Sequence, residues 1–112
     1  MKDDGVYLRH MRDAVGDLLR YAADGRAAFD AERMRQDAII RKLEVLGEAA
    51  KQLSEATKAR RPDVRWREIA GMRDKMIHEY FGVNLEIVWA VIERDLPILQ
   101  GALDELLKGG ST

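Results

Sequence analysis

"AERMRQDAIIRKLEVLGEAAKQLSEAT", Ala31 to Thr57, is the stretch on which the fold turns. At about 100° per residue, Ile39, Leu43, Leu46, Ala50 and Leu53 share one face of a helix, with Ala38, Val45 and Ala49 beside it. So wide an apolar arc needs covering from more than one side, which predicts a central helix with neighbours packed around it. The opposite face collects Asp37, Arg41, Glu44, Glu48, Lys51 and Glu55, as a solvated face would. Asp30 is a suitable N-cap for this helix.

On the N-terminal side, Tyr7, Leu8, Met11, Ala14, Val15, Leu18 and Ala22 recur at helical spacing and predict a first helix from about Val6 to Ala23. It is closed by "DGR", whose Gly25 suits a left-handed backbone. On the C-terminal side, "RRPDVRW" breaks the chain, because Pro62 disfavours helix at Arg61, while Asp63 can cap the next helix. That third helix spans about Val64 to Phe81 and stops near Gly82. Asn84 caps a fourth, reaching about Leu107, with Leu85, Val88, Trp89, Ile92, Leu96, Leu99, Leu103 and Leu106 inward. Pro97 lacks a backbone N–H, so a kink or break is expected there. Strand-like alternation is missing, and the connections are short. The expectation is an all-α, up-down four-helix bundle forming one domain over residues 1–108, with a disordered "GGST" tail at 109–112.

A chain of 112 residues can bury about 65% of its unfolded surface and fold without covalent staples. With no cysteine, thiolate metal sites, disulfides and cysteine nucleophiles are excluded. The start "MKDDGVYLRHMRD" lacks the apolar core of a secretion signal, and no run of about 18 apolar residues occurs, so a cytoplasmic chain without a membrane span is expected. Nineteen Lys and Arg balance twenty Asp and Glu, leaving polyanion binding to local patches such as "KARRPDVRWR", Lys58 to Arg67. The plainer reading of that cluster is a solvated loop.

The third helix carries an anomaly. Trp66, Ile69, Ala70, Met76, Ile77 and Tyr80 form a stripe about 120° wide, and Arg73 falls in its middle. Burying an unpaired guanidinium is costly, so Arg73 needs an anionic partner. Two readings remain open: an ion pair to Glu48, Glu44 or Asp17, or a grip on a phosphate. His78 lies about 140° round the helix from Arg73, yet shares a face with Asp74 four residues before it, which can fix its tautomer. Two routes would bring Arg73 and His78 together: a loosening of the helix near Gly82, or a two-fold axis that sets one protomer's Arg73 near its partner copy's equivalent of His78. Neither histidine has a glutamate three residues before it, and no glycine-rich phosphate loop occurs, so di-metal and P-loop chemistry are unsupported.

Arg73, Asp74, His78 and Tyr80 resemble the R-x-x-x-x-H-x-Y signature of the HEPN superfamily, in particular its HepT-like toxins. "YLRHMRDAV", "AIIRKLEVLGEAAKQLS", "RPDVRWREIAGMRDKMIHEYFGVN" and "IVWAVIERDLPIL" resemble that family's elements in order. The resemblance implies a metal-independent endoribonuclease of a toxin–antitoxin pair, needing no cofactor and working as a homodimer on an RNA substrate of the tRNA or mRNA kind. Arg73 and His78 of both protomers would be catalytic, with Asp74 and Glu48 supporting. The implied partner is a minimal nucleotidyltransferase antitoxin that attaches AMP to Tyr80. Tyr80 reads otherwise as a core aromatic bonded to Arg73 or Glu48. The alternative for the whole chain is a non-catalytic HEPN module that binds nucleotide or serves as scaffold for its nucleotidyltransferase.

Overall fold

The computed structural model describes residues 4–72, 74 and 84–110. Every regular element among them is helical, so the all-α bundle expected from the sequence is the one observed. In chain order the elements are α1 (Asp4–Tyr21), α2 (Arg26–Ala31), α3 (Arg33–Lys51), α4 (Glu55–Ala59), α5 (Trp66–Ala70), α6 (Leu85–Ala90), a π turn (Val91–Asp95) and α7 (Leu96–Gly110). Helix α1 packs along both α3 and α7, and α5 lies across α3. The predicted inward faces meet in one core, in which Met11, Leu18, Phe29, Ile39, Leu43, Leu46, Leu96, Leu99 and Leu103 are fully enclosed. Each such side chain contributes about 1.5–3 kcal/mol through removal of apolar surface from water.

The junctions differ from expectation, and each difference has a local cause. The central helix ends at Lys51 instead of Thr57. Ser54 interrupts it because its hydroxyl caps α4, accepting from the Thr57 amide at 3.2 Å. Asp4 secures this break from 50 residues away, its carboxylate accepting from the hydroxyls of Ser54 and Thr57 at 2.6 Å each. At the other end, Asp30 does not cap α3. It lies within the separate helix α2 and accepts from Arg26 Nε at 2.9 Å, and Glu32 holds the N-cap position without a side-chain capping bond, its carboxylate accepting from Arg35 at 3.2 Å instead. Gly25 has φ +91°, in keeping with its sequence context, and opens α2. Asp63 likewise is not the cap of α5. Arg65 occupies that position, because Asp63 is held by Arg61 at 2.8 Å.

Asn84 does cap α6, accepting from the Glu86 amide at 2.9 Å. Pro97 produces no break. The disturbance is moved upstream into the π turn, where Leu96 N–H donates to the Val91 carbonyl five residues back. The wider turn accommodates the missing proline donor and lets α6 and α7 run as one path.

Between α1 and α3, Lys42 donates to Asp17 at 2.8 Å and Arg20 pairs with the same carboxylate. The Lys42 hydrogen bond holds the Asp17 carboxyl below its ordinary 3.8, with burial opposing and Arg20 assisting. Lys42 is correspondingly raised by Asp17. Because the folded carboxyl titrates lower than the unfolded one, its stabilisation is fully present above the ordinary value and is lost as pH falls through the depressed one. Wild type should therefore melt above an Asp17→Asn variant at neutral pH, and the gap in melting temperature should close as pH falls below the ordinary 3.8 and through the depressed value. A gap that stays constant with pH would count against the pair.

Candidate functional site

The Arg73, His78 and Tyr80 readings lie outside the described residues. The structure does show how the chain is delivered to them. Helix α5 crosses α3 at Gly47: a Cβ built there would stand 2.8 Å from the Ile69 carbonyl oxygen and 3.8 Å from the Met72 Cβ. Only a hydrogen at this position allows the two backbones to approach so closely. Trp66, at the start of α5, is buried, and its indole N–H donates to the carbonyls of Lys58 at 3.1 Å and Arg61 at 3.0 Å. Met72, the residue before Arg73, is buried against this junction, and Asp74 is helical and exposed.

Glu48 follows Gly47 directly and is half-buried, with Lys51 Nζ at 3.6 Å. Of the three carboxylates considered as partners for Arg73, Asp17 is engaged by Lys42 and Arg20. Glu44 has Arg41 at 3.7 Å. Glu44 and Glu48 are one helical turn apart and both line a cleft of about 680 Å³ between α1 and α3. Tyr7, His10, Asp13 and Gln52 line the same cleft. The Tyr7 and His10 rings stand edge to face with centroids 6.4 Å apart. Sequence reasoning considers His10 only as a metal ligand and misses that it shares a cleft with Glu48. The signal available is the Tyr7, His10, Ala14 spacing, which places all three on one stripe of α1. Among the described residues no group of three or more His, Asp or Glu side chains is placed to hold a metal ion.

The basic cluster is divided by the fold. Arg61 turns back onto Asp63 at 2.8 Å and Glu105 at 3.3 Å, and Arg65 reaches the buried Asp95 at 3.7 Å. Asp63 and Glu105 raise the Arg61 pKa, the Asp63 hydrogen bond foremost. Arg60 and Arg67 are exposed, with no ion pair to either among the described residues.

The arrangement defines a small helical bundle whose short helix α5 is pressed onto the central helix at Gly47, the residue before Glu48. Comparison with known proteins places it further: residues 11–106 match the model of the family described as "Ribonuclease HepT-like", and the chain belongs to that family. It is 42% identical over 80 residues to "Probable ribonuclease HepT" of Thermococcus cleftensis, covering 71% of this chain and 73% of that one. It is 38% identical over 109 residues to "Putative RNase TTE0752" of Caldanaerobacter subterraneus subsp. tengcongensis, covering 96% and 97% of the two chains. A third relative, from Methanocaldococcus jannaschii, is named "Gamma-glutamylcyclotransferase and putative RNase MJ0434"; it is 36% identical over 108 residues, which span 96% of this chain and 47% of that protein. No solved structure matches significantly. Among the described residues no helix is long and apolar enough to cross a membrane.

Proposed function

We propose that this chain is a metal-independent endoribonuclease, the toxin of a toxin–antitoxin pair, acting as a homodimer through Arg73 and His78 of both protomers. The observation that carries the reading is the family match over residues 11–106, a span that contains the whole Arg73, His78, Tyr80 motif. The close approach of α5 to Gly47 supports it, because it sets Met72, the residue before Arg73, against α3 next to Glu48. In this reading His78 takes the proton of a ribose 2′-OH as that oxygen attacks the adjacent phosphorus. A histidinium, the partner copy's equivalent of His78, gives its proton to the departing 5′-oxygen, leaving a 2′,3′-cyclic phosphate and a 5′-hydroxyl. Arg73 stabilises the charge that gathers on the phosphorane oxygens. Asp74 orients His78, and Glu48 supports Arg73.

The partner in this reading is a minimal nucleotidyltransferase, which silences the cleft by attaching AMP to Tyr80. The added phosphate would bring negative charge and bulk against the Arg73 grip. Purified protein should cleave single-stranded RNA in EDTA, and a chelator-sensitive activity would sink the metal-independent reading. Mass spectrometry after co-expression with such a transferase should find AMP on Tyr80; an unmodified Tyr80 in silenced protein would reject the proposed mode of control.

A further inference from the structure

A groove of about 570 Å³ opens where the end of α3, α4 and α5 meet. Lys51, Lys58 and Arg67 line it, against a single carboxylate, Glu55. Glu55 pairs with Lys58 at 2.9 Å, and Lys51 is near Glu48 at 3.6 Å, so Arg67 brings to the groove a charge with no ion pair among the described residues. Exposed Arg60, the C-cap of α4, follows the groove residue Ala59 in the chain and likewise has no ion pair among the described residues. The wall is rigid, because the Trp66 indole ties the Lys58 and Arg61 carbonyls together. The remaining cations of the cluster, Arg61 and Arg65, are turned away onto Glu105 and Asp95 of the last helical segment.

We propose that this groove is a phosphate-binding track for the single-stranded RNA that flanks the scissile bond, resting on the ribonuclease reading above. Placement supports the assignment: Arg67 and Ala70 stand one turn apart on α5, and the same chain passes buried Met72 to the motif, which begins at Arg73. The spacing along the chain also fits. Lys51 stands near Glu48 on α3, and Arg67 lies six residues before Arg73 in the sequence, so the groove directly precedes the motif along the chain. The residues offered are cations rather than stacking faces, since Trp66 is buried in the wall. The track therefore contributes affinity that depends on salt and is indifferent to sequence.

The test measures binding of a fluorescent single-stranded RNA of about ten nucleotides in EDTA over a range of KCl concentrations. The protein is full-length and carries His78→Ala, so that substrate is not consumed. Arg67→Gln together with Lys51→Gln should weaken binding about tenfold and make the slope of log K against log salt shallower by about 1.4, or 0.7 per lost phosphate contact. Arg33→Gln, at the far end of α3, should change neither. In otherwise wild-type protein the double variant should raise KM and leave kcat nearly unchanged. Unaltered RNA affinity and salt slope in the double variant would overturn the track even if cleavage stands. So would a loss confined to binding of the protein partner. Groove-dependent RNA binding in a protein that cleaves nothing would uphold the track and reject the nuclease reading.

Discussion

Alanine at His78 is expected to lower RNA cleavage by about 10²–10⁴-fold, and alanine at Arg73 by about 10²–10³-fold, with circular dichroism and thermal unfolding close to wild type. The first figure is the usual contribution of a positioned proton-transfer group. The second corresponds to losing a donor aimed at charge that develops in the transition state, about 2.7–4 kcal/mol of barrier. Both losses should fall mainly on kcat, because the histidine's proton transfer and the added phosphorane charge matter most as the bond changes. Cleavage that persists at wild-type rate in both variants would remove the catalytic assignment. Mixing the two inactive variants adds a sharper reading. If the cleft is completed by a second copy, each heterodimer still holds one Arg73 and one native His78. Activity recovered on mixing would locate them in one composite cleft, and its absence would require both pairs.

The largest effect on stability is expected at Gly47. Alanine in mid-helix ordinarily gains up to about 1 kcal/mol over glycine. At Gly47, however, the new methyl would stand 2.8 Å from the Ile69 carbonyl, a backbone atom that cannot swing aside. Overpacking of this kind costs about 1–3 kcal/mol, enough to reverse the propensity gain. Gly47→Ala should therefore lower the melting temperature by about 5 °C, given the usual entropy of a domain this size. Gly16 supplies the opposite case within the same molecule, because nothing lies within 4 Å of a Cβ built there. Gly16→Ala should raise stability by about 0.5–1 kcal/mol. Two thermal melts decide the matter: equal shifts of the same sign would mean that the α3 and α5 backbones are not in the contact described.

These two glycines show how far a sequence can be read. Both sit within helical patterns, and helical periodicity treats them alike. Their opposite responses depend on whether another backbone lies opposite, which no count along one helix can report. The same limit explains the misplaced caps. Asp30 and Asp63 are suitable cap residues by type and position, but each is drawn off by an arginine, Arg26 and Arg61. Asn84, whose side chain accepts from the Glu86 amide, caps as its position implies. Periodicity overextends the central helix because Ser54 and Thr57 are bridged by Asp4, a contact across 50 residues.

By itself the sequence determined the helical class, the inward faces of the first, central and last long segments, and a motif specific enough to name a family. These follow from periodicity and residue type, which are local properties. Tertiary structure alone decided that α5 meets α3 at Gly47, and that His10 shares a cleft with Glu48. It also decided that the cations from Lys58 to Arg67 separate into a braced set and an open set. The physical reason is common to all three. Periodicity says which side of a helix avoids water, whereas ion pairing, cleft formation and close approach depend on the distance to a second element, and that distance is set by the packing of the whole bundle.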